Sequence, residues 1–238
     1  MIHGLGLRLS DLERLSSQLR GKYEHERAET PDELLAESEA FRWTGFSYFS
    51  GGDYNYERAY EMAAFCFRVA MELDPTDARP ALLLGHIRSR QGDEEAALEQ
   101  YLETFRRGLK NLDLVYHTEN VYLHIAVCYH TLGRLDEAEA YLLAGIAKDE
   151  GCREHMLGML ALMWHQAERY DLAEEYYRQW LAYLETQSED RKSDMTPAKE
   201  VERGLRLAQA RTRLPDSDSL VSGGFRGALE VGLHGVQF

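Results

Sequence analysis

Apolar and polar residues follow the 3.6-residue period of an α-helix along most of the chain, with short interruptions by glycine, proline and acidic residues. Leu12, Leu15 and Leu19 stand three or four positions apart, and Thr30 followed by Pro31 marks a helix start. The pattern predicts helices over residues 10–27, 31–49, 54–73, 78–91, 94–107, 118–132, 135–148, 153–167, 170–186 and 196–213.

Four alanines occupy equivalent places in this pattern. Ala63, Ala97, Ala138 and Ala173 follow one another at intervals of 34, 41 and 35 residues. Four positions after each of them stands a large side chain, namely Phe67, Tyr101, Leu142 or Tyr177. A period near 34 residues is typical of stacked helical hairpins. We therefore predict an array of hairpins, a class of protein that usually binds other proteins and rarely performs catalysis itself.

The composition and charge narrow the class of protein further. The chain is 44% hydrophobic and 29% charged, as ordinary folded domains are. Its net charge is −14, and it has no basic patch, which argues against binding to nucleic acid. Three cysteines without a CxxC spacing, no secretory signal and no stretch of 18 apolar residues lead us to expect a cytoplasmic protein without membrane insertion.

Small and aromatic residues recur at matching positions in four successive hairpins. They are Gly45, Tyr48, Ala63, Phe67, Ala70 and Pro75 in the first; Leu84, Gly85, Gly92, Ala97 and Tyr101 in the second; Tyr122, Ile125, Ala126, Tyr129, Gly133, Ala138, Leu142 and Gly145 in the third; and Leu160, Ala161, Trp164, Ala173 and Tyr177 in the fourth. In these positions the chain resembles the tetratricopeptide repeat. The resemblance implies an all-α fold, a right-handed superhelical array of antiparallel helical hairpins.

Four hairpins over 38–186 would form the body of this array. Helices over 1–37 would precede them, a capping helix over 196–213 would close the array, and an irregular tail rich in glycine and serine would follow over 214–238. The apolar residues of the tail allow three interpretations. It is a partner-binding peptide, a segment that docks in the chain's own groove, or a cover on the capping helix.

Tetratricopeptide arrays curve, and the first helix of each hairpin lines their concave face. The resemblance therefore predicts a partner-binding groove lined by Arg42, Phe46, Phe49, Arg79, Leu82, His86, Arg90, Asn120, Leu123, Val127, His130, His155, Leu162 and His165. Its floor is apolar, with arginines and histidines at the edges. Such a groove suits a peptide or helical segment of another protein that inserts apolar anchors and offers acidic groups to the arginines. In the alternative interpretation, several of these side chains pack against neighbouring hairpins.

We therefore expect an adaptor or chaperone that binds a protein segment within a larger assembly, and no enzyme. Co-chaperones of this family hold acidic carboxyl-terminal peptides with lysines and asparagines, but Leu82, Leu123 and Leu162 stand at equivalent positions here. The apolar groove is more similar to that of the translocator chaperones of type III secretion, which this chain resembles only in its acidity and repeats. A self-associating structural subunit of a homo-oligomer is the remaining alternative.

Candidate chemistry is limited to histidines. His117, His124, Cys128 and His130 crowd one region, but His130 and Cys128 point to opposite sides of a helix, and no HExxH or CxxC motif occurs. Acidic pairs such as Asp136 with Glu137 stand where helices begin, which favours the positive helix end. We expect no catalytic residue, no metal site and no cofactor.

Overall fold

The computed structural model describes residues 31–50, 56–112, 118–148, 152–188 and 196–214, together with positions 14, 17, 18 and 21. Within these ranges the chain forms nine α-helices and one short 3₁₀ helix (Leu109–Leu112), without a strand. The helices are α1 (Pro31–Ser50), α2 (Tyr56–Leu73), α3 (Arg79–Arg90), α4 (Glu94–Arg107), α5 (Thr118–Thr131), α6 (Leu135–Lys148), α7 (Arg153–Gln166), α8 (Tyr170–Glu185) and α9 (Ala198–Gln209). The all-helical fold that the periodicity predicts is confirmed.

The bounds of these helices differ from the predicted ones by at most two residues, except that α9 is shorter at both ends. The predicted helix over 10–27 is described only at four positions, all helical. Residues 189–195, and residues 215–238 of the predicted tail, lie outside the described residues.

The chain divides between Val115 and Tyr116 into two compact units, which the sequence pattern did not indicate. In the first unit, α1 pairs with α2 and α3 with α4, and contacts between α2 and α3 stack one hairpin on the other. In the second unit, α5 pairs with α6 and α7 with α8, contacts between α6 and α7 stack the hairpins, and α9 packs on α8.

Tight turns join the helices of the three hairpins whose turns the structure describes. Gly92 (φ 77°) and Gly133 (φ 74°) occupy the left-handed region that a glycine adopts without strain. Asp93 then caps α4 by accepting a hydrogen bond from the backbone N–H of Ala96 at 3.1 Å. In the last hairpin Glu168 takes the left-handed position instead, with φ 59°. The turn geometry therefore recurs even where the glycine is missing.

The helices of a hairpin approach each other through a glycine that lies against an aromatic ring. Tyr101 is buried, and a Cβ atom placed on Gly85 would lie only 2.5 Å from its Cε1 atom. The same arrangement joins Gly45 to Phe67, Gly158 to Trp180 and Gly204 to Tyr177. The last of these contacts holds α9 on α8, so one type of packing pairs the helices within hairpins and also attaches the final helix.

The cysteines and the apolar character of the helices are two further features of the described residues. Cys66 and Cys128 are buried and Cys152 is partly buried, and none of the three forms a disulfide. Within the described ranges, no helix has the length and the apolar character needed to cross a membrane.

We expect the substitution Gly85→Ala to lower the free energy of unfolding by about 1–3 kcal/mol, because the added methyl group overlaps the Tyr101 ring. The ring cannot move freely, since its hydroxyl is bonded to His86. This loss outweighs the helix propensity of alanine, which favours the variant by up to about 1 kcal/mol. Urea unfolding measures the change, with the exposed Glu99→Ala as control. Equal or greater stability of Gly85→Ala would contradict the tight contact.

Candidate functional site

Two of the three arginines predicted for the first hairpins, Arg42 and Arg79, lie in an ion cluster inside the first unit. Arg42 is 4% exposed, and its Nε atom lies 3.6 Å from Oδ2 of Asp77, which is 2% exposed. Arg79 donates from Nε to Asp77 Oδ1 and from Nη2 to Glu39 Oε1, both at 2.8 Å. Arg42 also pairs with Glu39. Both arginines are therefore bonded to carboxylates of their own chain.

The electrostatics of Glu39 follow from this cluster. Burial acts to raise the pKa of its carboxyl group, but the hydrogen bonds and charges of Arg42 and Arg79 outweigh burial and lower the pKa below its usual value. The carboxylate therefore stays charged and keeps both guanidinium groups in place. Sequence reasoning identified the two arginines and missed Glu39 and Asp77, although Asp77 stands directly before α3, where an acidic residue favours the helix end.

The other predicted residues of the first unit differ in exposure. Leu82 and His86 are buried, and Nδ1 of His86 lies 2.9 Å from the hydroxyl oxygen of Tyr101. Arg90 is exposed, and its Nη1 atom donates to the hydroxyl of Tyr60 at 3.2 Å. The side chains of Phe46 and Phe49 lie outside the described residues. We call the side of α3 that carries Leu82 and His86 the inner face of the first unit.

In the second unit the predicted residues also separate into buried and exposed sets. The buried ones are Leu123, Val127, Leu162 and His165. His130 is partly exposed and His155 is exposed, while the side chain of Asn120 lies outside the described residues. We call the side of α5 and α7 that carries the four buried residues the inner face of the second unit. It is apolar except for His165.

His165 joins three parts of the second unit. Its Nε2 atom donates to the backbone carbonyl of Thr212 at 2.8 Å, and because a carbonyl only accepts, the proton of the neutral ring lies on Nε2. Its Nδ1 atom then accepts from the hydroxyl of Tyr177 at 3.1 Å. Tyr177 is a repeat aromatic of α8, whereas Thr212 follows α9. No sequence signal connects Thr212 with His165, since 47 positions separate them.

Glu139 joins the two hairpins of the second unit. Its Oε1 atom accepts from Nε1 of Trp164 at 3.1 Å and from the hydroxyl of Tyr176 at 2.5 Å. Burial raises the pKa of Tyr176, and the hydrogen bond to Glu139 raises it further. The tyrosine therefore remains a donor at neutral pH. In the sequence, Glu139 was indistinguishable from the other acidic residues of an exposed helix.

In the sequence, His117, His124, Cys128 and His130 are the candidate metal ligands. His124 and Cys128 are buried on α5, and burial lowers the pKa of His124 to about 4. Burial also lowers the pKa of His130. His117 lies outside the described residues. Among the residues that the structure describes, no group of three or more histidines, cysteines or acidic residues is placed to hold a metal ion.

Comparisons with known proteins agree with this architecture. Residues 119–147 match the tetratricopeptide repeat family, and they span α5 and α6. The chain is similar to the crystal structure of MamA, with 18% identity and a TM-score of 0.52, covering 80% of this chain and 99% of MamA. It also aligns with the crystal structure of the APC/C hetero-tetramer Cut9–Hcn1 at 16% identity and a TM-score of 0.46, covering 94% of this chain and 37% of that one. No curated protein matches the sequence.

The fold is therefore that of a tetratricopeptide solenoid, built from stacked helical hairpins. Residues 119–147 match a tetratricopeptide repeat, as the spacing of small and aromatic residues predicts. Proteins with this fold generally mediate contacts between proteins.

We expect Asp77→Ala to destabilise the first unit by about 3–5 kcal/mol, because it removes the buried carboxylate that lies beside the buried guanidinium group of Arg42. Chemical unfolding followed by circular dichroism measures the loss. Glu137→Ala is the control, since it breaks an exposed pair with Arg134 and should change stability little. Similar stability of the two variants would mean that the cluster does not support the fold.

The stability of the second unit should depend on pH through His124. Its folded pKa of about 4 lies below the usual value of 6.5, so folding favours the neutral ring. The stabilisation is complete above pH 6.5, decreases as the pH falls towards 4, and levels off below that. We expect His124→Leu to remove about 3 kcal/mol of this pH-dependent loss.

Thermal unfolding of the wild type, His124→Leu and His155→Leu at several pH values would measure this effect. The exposed His155 shares the residue type but not the burial, so its variant should follow the wild-type pH profile. A wild-type profile for His124→Leu would show that the buried imidazole does not control acid stability.

Proposed function

We propose that this chain is a protein-interaction module, an adaptor or chaperone, that binds an apolar segment of another protein on the inner faces of its first helices. The observation that carries the proposal is the apolar character of positions that the repeat register directs inward. Leu82, Leu123, Val127 and Leu162 stand there, where a groove open to water would favour polar side chains.

Apolar contact would supply most of the binding energy. Burial of a leucine or valine side chain contributes about 1.5–3 kcal/mol, so a few anchors suffice for a stable complex. The charge pairing expected from the sequence is a weaker basis, because Arg42 and Arg79 are already bonded to Asp77 and Glu39. This supports a segment recognised by apolar anchors rather than by acidic groups.

The exposed side chains suit a supporting role at the edges. Arg90 and His155 are exposed, and His130 is partly exposed, so they offer polar contacts to a bound segment without rearrangement of the helices. The apolar positions are buried in the structure. Binding therefore requires that whatever covers them gives way to the partner.

We expect Val127→Lys to abolish binding of a partner to the second unit, because the buried ammonium group would have no counter-charge at the interface. Affinity capture from the native cell, followed by calorimetry with the purified captured protein, measures the effect. Val127→Thr keeps the shape of the side chain and should weaken binding by about tenfold, in line with about 1.4 kcal/mol for one buried hydroxyl.

The control is Leu143→Lys on α6 of the same hairpin, where the leucine is 43% exposed. It should leave both the helicity and the affinity unchanged. If Leu143→Lys lost the partner while Val127→Lys retained it, the binding surface would be the outer one. If light scattering detected only an oligomer that Val127→Lys dissociates, the chain would be a self-associating subunit instead.

A further inference from the structure

The first helices of the second unit are buried on every side. On α5 all nine residues from Val121 to Tyr129 are buried, and on α7 all ten from Met156 to His165. Because an α-helix completes a turn in 3.6 residues, either run passes around the helix more than twice. A helix packed on one neighbour buries a stripe and leaves its other side open. Both helices therefore have a cover on their inner face as well.

The helical neighbours account for only part of this burial. Among the described helices, α7 makes extensive contacts with α6 and α8, and α5 makes them with α6. These neighbours are the second helices of the hairpins, which lie on the outer side of a tetratricopeptide array. These extensive contacts involve the second helices, so the burial of Leu123, Val127 and Leu162 on the inner side depends on another part of the molecule.

The path of the chain after α9 leads back to α7. The carbonyl group of Thr212 accepts the hydrogen bond from His165 of α7. Two residues later Leu214 is 1% exposed, so the chain is packed into the unit where the described residues end. The described part of the chain therefore ends beside α7.

These following residues have the composition of a cover. The sequence after Leu214 has 24 residues, among them the apolar side chains Val221, Phe225, Leu229, Val231, Leu233, Val236 and Phe238. The first three stand four positions apart, a spacing that would place them on one side of a helix. The α7 helix is about 21 Å long, and 24 residues span about 36 Å even if they are fully helical. The segment is long enough to pass over both α7 and α5.

We propose that residues 215–238 bind to the inner face of the second unit and compete with the partner for it. This inference rests on the proposed function, since it names the segment that a partner must displace. A tethered segment acts at an effective concentration in the millimolar range, so it competes strongly even when its own affinity is modest. The apolar inner face is thereby kept from water until a partner binds.

Cross-linking of the full chain tests the occupant directly. Phe225→p-benzoylphenylalanine is irradiated in an equal mixture of ¹⁵N-labelled and unlabelled protein, and the products are read by mass spectrometry. We expect links from position 225 to residues of α5 or α7 within one molecule. Links between labelled and unlabelled molecules would assign the face to a second copy. Links from position 225 to other parts of the chain would overturn the proposal. So would the absence of any link when p-benzoylphenylalanine is placed at position 225 and, in a second variant, at position 229.

A binding experiment in trans tests the competition. The probe is a fluorescent synthetic peptide of residues 215–238, added to the wild-type chain, to Phe225→Asp/Leu229→Asp, and to the control Ser217→Asp/Ser222→Asp. We expect the peptide to bind the Phe225→Asp/Leu229→Asp chain about tenfold or more tightly than the other two, because its own segment no longer competes. When the substitution Val127→Lys is introduced into the Phe225→Asp/Leu229→Asp chain, the peptide should no longer bind. Equal affinity for all three chains would overturn the proposal.

The two proposals fail in different ways. If a captured partner requires Val127 but binds the wild type and Phe225→Asp/Leu229→Asp equally, the partner-binding function stands and the tail is not its competitor. If position 225 links to α5 and α7 but Val127→Lys never affects a partner, the tail covers the face and partner binding occurs elsewhere.

Discussion

The structure depends on one recurring contact, a buried aromatic ring placed directly on a glycine of the facing helix. Tyr101 on Gly85 sets the separation of two helices in the first unit, and Trp180 on Gly158 does so in the second. Because even one methyl group on the glycine would overlap the ring, this separation has little freedom. The same contact recurs between Tyr177 and Gly204, so α9 packs on α8 in the way that the two helices of a hairpin pack on each other.

Two of these aromatic residues, both tyrosines, also form hydrogen bonds with histidines of the first helices. Tyr101 reaches His86 in the first unit, and Tyr177 reaches His165 in the second. A buried imidazole without partners would cost free energy, so these bonds allow a histidine on a face that is otherwise apolar. Two histidines of the predicted groove, His86 and His165, are therefore held in place by tyrosines of the second helices.

The buried state of the inner face changes how the protein would work as a binding module. An open tetratricopeptide groove offers its floor to any segment of suitable shape, whereas here Leu123 and Leu162 are already removed from water. Under the proposed competition with the tail, a partner would gain only the difference in binding free energy between the two occupants. Such an arrangement favours specificity over affinity, and it protects an apolar surface from nonspecific association.

The sequence by itself determined the helices, their hairpin pairing and the repeat class. Helix periodicity, glycine turns and the spacing of Ala97 and Tyr101 are local signals, because they act within one or two turns of the chain. Only the tertiary structure decided the roles of the inward-facing residues. It joined Arg42 to Asp77 and His165 to Thr212, pairs that are 35 and 47 positions apart, and it buried Leu162. Such contacts depend on how hairpins stack and where the chain returns, which no local pattern of residue types records.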